Sequence, residues 1–520
     1  MQFNIVWAGA REAIVEVRDG GTFHTLAPWR LFVDGEDRGL TDTVETYIDG
    51  LCPGRKHVIS ACREDGTGRV ETSVTCAEES ALLNVRDFGA SGDGEHDDTA
   101  AIQAAIMCCP PQGRVLVPEG RYRVTNLFLA SETTLELAEG AVLSARTDRE
   151  SFAWMPGTVK LSGGDLLPLG TWEGESVRMF AGILNGVNVH DVTVCGRGCL
   201  DGNASWDEDN WWHEAKRIRI AARPRMAFFS ECSGIDMAGI VVRDSPSWNI
   251  HPVLCERVSF QCMRIESPKV SPNTDGINPE SCSGVVIRGC EFSVGDDCIA
   301  IKSGKLSKDS TLRPACTGLL VEQCYMHDGH GAVVLGSESA GGIKGLTVRD
   351  CLFERTDRGL RVKTRRGRGA EAVTEDVLFE HIRMRDVLTP FVVNSFYNCD
   401  PDGMSDYVQC RTALPVDERT PKIGVLVFHD IVAERAHAAA AYLTGLPESK
   451  VERIELHDVR VTMAPDAVSA VPAMAGGVDA MSKQGFIAQH VASLVLDGVV
   501  VEGCEGKSLQ TTDVDEIVRV

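Results

Sequence analysis

The sequence predicts an all-β chain: a right-handed parallel β-helix, a solenoid, preceded by a small β-sandwich. Two observations carry the solenoid. Apolar residues recur at offsets 0, 2, 5 and 7, first as Val187, Val189, Val192 and Val194, then from Ile235, Val258, Val285, Leu319, Leu346, Val377, Leu426, Ile454 and Leu494, ten copies in all. Copies lie 23 to 49 residues apart, with almost no helical periodicity between them. Each copy is two period-two fragments separated by a one-residue slip, which lets a chain round a corner with the same face inward. A fixed motif joined by variable loops marks a solenoid, whereas a β-propeller blade needs four antiparallel strands in about 40 to 45 residues, more than most copies hold.

Residues 1–80 have a different texture. Short alternating runs such as Ala13-Ile14-Val15-Glu16-Val17 and His57-Val58-Ile59-Ser60-Ala61, broken by Asp-Gly and Pro-Gly turns, predict a small antiparallel sandwich of the fibronectin type III kind. Residues 81–520 then form the solenoid domain. Asp97 and Asp98 resemble a catalytic pair, but Asp98 precedes Ile102, Ala105 and Ile106 at helical spacing, so it reads as the N-cap of a short helix ending at Pro110-Pro111. That helix would close the end of the solenoid, where strand edges and core are otherwise exposed.

A net charge of −23 argues against nucleic acid or an anionic membrane as partner. The first ten residues lack a basic and apolar export signal, and no run is long enough to span a membrane, so a cytoplasmic location is expected. Of 19 cysteines, Cys290, Cys324 and Cys351 share one ladder position, which predicts a stacked, buried, reduced row. No Cys-x-x-Cys pair suggests zinc, and no metal or cofactor is expected.

Four polar segments interrupt the ladder within 91 residues: Asn273-Thr274-Asp275, Gly295-Asp296-Asp297, Gly329-His330-Gly331 and Arg361-Val362-Lys363. Asp296 lies 11 residues after Val285 and His330 lies 11 after Leu319, so both leave the same corner of adjacent rungs, about 4.8 Å apart. Asp275 precedes Asp296 by 21 residues, one coil, and reaches the same patch. Gly329 and Gly331 would leave room for a ligand. Three carboxylates so close cannot all ionise easily, so one keeps a proton and the others orient a water. This division of labour fits an inverting glycosidase, whose acid and base stand about 6.5 to 9.5 Å apart. Calcium is a rival use of such a cluster, but His330, Arg361 and Lys363 speak against it. Arg358 to Arg368 holds six basic residues in eleven positions and no acid, either a solvated face or an anion site for a carboxylate, phosphate or sulfate.

In order and spacing, the four segments resemble the signature of the polygalacturonases, glycoside hydrolase family 28; Val362 replaces the usual isoleucine of the last one. The resemblance spans roughly residues 82–510. It implies that Asp296 is the general acid, that Asp275 and Asp297 activate the attacking water, and that His330 assists the acid. It further implies that Arg361 and Lys363 bind a galacturonate carboxylate and that Tyr397 contacts substrate. Lys302, a surface lysine on a plain reading, resembles a substrate-binding residue of exo-acting members. The implied substrate is an oligogalacturonide or pectin-derived polysaccharide.

Exo action is also suggested by an insertion between the first two ladder copies, with Trp206, Trp211, Trp212, Arg217, Arg219, Arg223 and Arg225. These residues either wall off one end of a sugar groove or anchor the loop to the solenoid. Branched pectins (rhamnogalacturonan or xylogalacturonan), a calcium-dependent pectate lyase and a non-catalytic carbohydrate-binding β-helix are the alternative readings.

Overall fold

The computed structural model describes residues 2–215, 223–306 and 314–520; Arg217 and Arg219 lie outside them. Seven antiparallel strands open the chain: β1 (Gln2–Ala8), β2 (Ala13–Arg18), β3 (His24–Val33), β4 (Glu36–Thr43), β5 (Glu45–Ile48), β6 (Lys56–Arg63) and β7 (Val70–Thr75). They form two sheets, β1-β2-β5 and β4-β3-β6-β7. Val15, Trp29, Leu31, Ile59 and Ala61 pack in one cluster between them, as period-two alternation requires.

From β8 (Leu82–Asn84) onward the chain is a right-handed parallel β-helix. The apolar ladder is literal. Ile235 pairs with Val258, Val258 with Val285, Val285 with Leu319, Leu319 with Leu346, and the row continues through Val377, Leu426 and Ile454 to Leu494. The first predicted copy is out of phase: Val192, not Val187, pairs with Ile235. Val187 belongs to Leu184–Val187, a strand of another face, and the corner at Gly196–Gly198 is longer than the usual slip. Earlier rungs, such as Gly113–Val117 stacked on Thr133–Leu137, lack the 0-2-5-7 signature.

A third face carries the site. Ile250, Ile277, Ile299, Val333, Leu360, Phe391, Ala441 and Phe486 form its central row. Its strands are buried on both sides, as in Asp297–Ile301 and Gly331–Leu335. They therefore read as continuous apolar runs rather than alternation.

Helix α1 (Thr99–Cys108) packs Ile102, Ala105 and Ile106 against the first rungs. Asp98 occupies the N-cap position, but its carboxylate does not cap the helix. It accepts instead from the backbone N–H groups of Ser91 (2.6 Å) and Gly92 (3.1 Å), donors supplied by the loop that crosses beneath it. Cys290, Cys324 and Cys351 are fully buried, each donating to the carbonyl two residues earlier, at 3.4, 3.3 and 3.2 Å. Cys232, Cys255 and Cys282 form a second such row. Among the described residues no helix is long and apolar enough to cross a membrane.

The sandwich is fastened to the flank of the solenoid. Ile14 and Tyr47 pack on Cys195 and Ala238, and the Tyr47 hydroxyl accepts from the Gly196 N–H at 3.1 Å. Beside this contact Glu322, fully buried, accepts from Arg18 of the sandwich (3.3 Å) and from Arg349 (2.8 Å) and Arg288 of the solenoid. Removing one partner of a buried ion pair costs about 3 to 5 kcal/mol because the other charges are left uncompensated. Glu322→Gln should therefore lower the thermal midpoint clearly in calorimetry; an unchanged midpoint would contradict this account of the joint.

Candidate active site

Backbone bonds between rungs place the four segments. Asn273 turns the chain with φ 57°, a left-handed value that asparagine tolerates. The Thr274 hydroxyl then accepts from the Gly295 N–H at 2.9 Å, tying the first segment to the second. Gly276 N–H donates to the Asp297 carbonyl and His330 N–H to the Asp296 carbonyl, each at 3.0 Å. The glycines serve this packing rather than a ligand. A Cβ on Gly331 would lie 2.5 Å from Val334 Cγ2 and 3.1 Å from Asp297 Oδ1, and one on Gly295 would strike the Ser271 backbone.

Asp275, Asp296 and Asp297 each present a carboxylate oxygen, and these oxygens lie within 4.8 Å of one another. The spacing is tighter than the 6.5 to 9.5 Å expected above. It matches a single bridging water: two hydrogen bonds of about 2.8 Å meeting at a tetrahedral angle put the acceptors about 4.6 Å apart. Asp275 and Asp297 are buried, whereas the Asp296 side chain is 27% exposed, with His330 Nδ1 3.3 Å from its Oδ1. His330 is half-exposed, on the open side of the cluster.

The electrostatics separate the three acids. Lys363 Nζ lies 2.7 Å from Asp297 Oδ2, and Arg361 Nη1 lies 3.4 Å from Oδ1. Burial alone would raise the Asp297 pKa, but Lys363 and Arg361 outweigh it and hold the carboxyl down to about 2. Asp275 goes the other way: burial, reinforced by the charge of Asp296, pushes its pKa well up. Asp275 therefore holds a proton more firmly than Asp297, a feature the motif order does not reveal. The hydrogen bond to Asp296 raises the His330 pKa.

The remaining predicted residues converge on the same patch. The Tyr397 ring lies 5.9 Å from the Arg361 guanidinium and 5.3 Å from the Lys363 ammonium. Arg361 Nη2 is buried without a protein acceptor, a donor free for an incoming anion. Lys302 is not on the surface; it is buried and paired with Glu338 at 3.0 Å. The rest of the basic run is structural. Arg358 donates to the carbonyls of Val471 and Pro472, Arg366 pairs with Glu448, and Arg365 and Arg368 pair with Asp400. Sequence reasoning missed Asn278, whose side-chain amide donates to Asp275 Oδ2 at 3.2 Å. Only its place three residues after Asp275 hinted at this.

The aromatic insertion proves to be an anchor. Trp211 and Trp212 are buried, Trp212 donating to the Ser245 carbonyl at 3.0 Å, and Arg223 and Arg225 are buried with them. Trp206 is exposed but rests against the Trp212 ring. A second excursion, from Trp154 to Phe180, reaches the neighbouring rungs, where Trp172 stacks on Trp248 with ring centroids 4.8 Å apart. Next to it, the Lys305 N–H donates to the Gly174 carbonyl at 3.3 Å and the Lys305 ammonium faces Glu173 at 3.5 Å. Gly174, at φ 77°, lies so close that a Cβ there would meet the Lys305 backbone at 2.8 Å.

A carboxylate cluster beside an Arg–Lys anion clamp, on a parallel β-helix, defines a glycoside hydrolase. The chain belongs to glycosyl hydrolases family 28, whose description matches residues 134–476. Residues 82–137 match a second description, rhamnogalacturonase A/epimerase, pectate lyase-like. A probable polygalacturonase of Vitis vinifera is 29% identical over 404 residues, 76% of this chain and 77% of the relative. An exopolygalacturonase of Arabidopsis thaliana is 25% identical over 402 residues, 76% of this chain and 80% of the relative. Among solved structures, a family 28 exopolygalacturonase of Yersinia enterocolitica superposes with TM-score 0.70 at 17% identity, covering 99% of this chain and 98% of its own. An exopolygalacturonase of Thermotoga maritima gives TM-score 0.62 at 24% identity, covering 81% and 92%. At these identities the superpositions speak to the fold.

Lys363→Met should remove the main charge that keeps Asp297 ionised. Its pKa then rises, and a carboxylate that must be ionised to activate water is lost at higher pH. The acid limb of kcat against pH should move upward relative to wild type; an unmoved limb would remove Asp297 from the ionised role.

Proposed function

We propose that the protein hydrolyses α-1,4-galacturonosidic bonds in polygalacturonate and oligogalacturonides, with inversion, releasing sugar from the non-reducing end. The observation that carries this reading is the Asp275–Asp296–Asp297 cluster facing the Arg361–Lys363–Tyr397 clamp. Arg361 and Lys363 fix the substrate carboxylate, Arg361 through its free Nη2, and Tyr397 packs beside the sugar. Asp296, the most exposed of the three acids, protonates the leaving glycosidic oxygen. Asp275 and Asp297 hold the water whose oxygen attacks the anomeric carbon as the C–O bond breaks, the ionised Asp297 taking the water's proton, and His330 supports Asp296 through its Nδ1 contact. The names of the relatives support galacturonate as the sugar.

Exo action is supported by the excursion carrying Trp172 and Glu173: Trp172 stacks on Trp248, which the Lys302 ammonium faces, and a segment there would admit a chain end rather than a passing chain. The match of residues 82–137 favours branched pectin as a second reading, but those rungs end well before the site residues. We also take the chain as two units, a fibronectin type III-like sandwich over residues 1–80 and the solenoid over 81–520. The 19 cysteines, all free thiols, favour the cytoplasm.

Two experiments test the reading. Asp296→Asn should lower kcat by about 10²- to 10⁴-fold while KM changes little; near-normal turnover would displace Asp296 as the acid. Purified protein given trigalacturonate and polygalacturonate with EDTA should accumulate saturated short product from the first minutes. Larger saturated oligomers would mean endo action, calcium-dependent absorbance near 235 nm would mean a lyase, and activity only on branched pectin would move the substrate.

A further inference from the structure

Outside the catalytic cluster, the buried polar groups of the groove floor meet at one side chain. Trp248 is 3% exposed. On one side its indole stacks on Trp172 of the excursion, with ring planes 18° apart. The His251 ring meets it edge-on at 5.0 Å, and the Arg225 guanidinium lies 4.9 Å from its centroid. The Lys302 ammonium lies 4.7 Å from the same centroid.

Lys302 is pulled two ways. Its ammonium pairs with Glu338 at 3.0 Å, and it also lies in the field of Asp275 and Asp297. Because the lysine is buried, water cannot hold it between these partners; a neighbouring π-face can. A cation over an indole is attracted by the negative ring face, most strongly where neither group is hydrated. The ring, in turn, is oriented by Trp172, which belongs to the excursion rather than to a rung.

We propose that Trp248 is a positioning residue coupling the excursion to the catalytic carboxylates: Trp172 fixes the ring, and the ring fixes Lys302 at the end of the strand that Asp297 begins. The excursion's part as an end-stop rests on the exo reading above, whereas the coupling to Lys302 stands on the contacts themselves. An excursion that only blocks the groove would alter product size and KM when loosened. An excursion coupled through Trp248 also lowers kcat, and does so only while Lys302 is present.

The test is a double-variant comparison on tetragalacturonate with Trp172→Ala, Lys302→Met and both together, alongside Trp248→Phe and Trp248→Leu. Trp172→Ala should lower kcat about tenfold in the wild-type background and less than about twofold in the Lys302→Met background. Trp248→Phe, which keeps an aromatic face, should retain most of kcat, and Trp248→Leu should fall to the level of Lys302→Met. Equal fold-losses from Trp172→Ala in both backgrounds, or full kcat in Trp248→Leu, would overturn the coupling. Should Trp248→Leu fail to fold, the Trp172 and Lys302 comparison decides alone. Large oligomers released early by the wild type would remove the end-stop reading yet leave the coupling to be judged by the same kcat values.

Discussion

The site depends on the in-register stacking of parallel strands on one face of the solenoid. Neighbouring strands stand about 4.8 Å apart, so residues distant in sequence become neighbours at that interval. The row Ile277, Ile299, Val333, Leu360 fixes where Asp275, Asp297, Gly331 and Arg361 fall. Side chains alternate between faces, so a slip of one residue would turn Arg361 and Lys363 into the core and Leu360 and Val362 into the groove. The fully buried apolar row is what forbids the slip. Packing in the core and chemistry in the groove are two faces of the same register.

That register forces an electrostatic conflict, and the chain resolves it locally. Three carboxylate oxygens within 4.8 Å repel, and burial makes each charge harder to keep. Lys363 and Arg361, together on one strand two rungs further along the same face, compensate Asp297 directly. Asp275 has the Asn278 amide and the more distant Lys302 instead, so it holds a proton more firmly than Asp297. Their surroundings thus push the pKa values of these two buried carboxyls apart. Under the proposed function an incoming uronate carboxylate would share the Arg361–Lys363 pair with Asp297, linking binding to the charge on that carboxylate.

Much of this was legible in the sequence because a solenoid turns spatial neighbours into periodic ones. Nine copies of the ladder fall in register; the tenth, at Val187, fails because a third-face strand with its own apolar run imitates the pattern. Asp275, Asp296, Asp297, His330, Arg361, Lys363 and Tyr397 do come together. The burial of Lys302 was not visible, since Ile301-Lys302-Ser303 looks like a strand end reaching solvent. Trp211 and Trp212 have the composition of a sugar platform but sit in the core, the anchoring alternative of the two readings, while Trp172 meets Trp248, 76 residues away in sequence. The upward shift of the Asp275 pKa was not legible either, because it follows from depth of burial.

The central claim is that Asp275 and Asp297 hold one water that attacks the anomeric carbon directly while Asp296 protonates the leaving oxygen. Proton NMR of the first sugar released from an oligogalacturonide, recorded before mutarotation, tests it most directly. Direct displacement at an α-linked galacturonate predicts the β-anomer as the initial product. An α-anomer appearing first would require a covalent sugar–enzyme intermediate, and the account of a water held by Asp275 and Asp297 would be wrong.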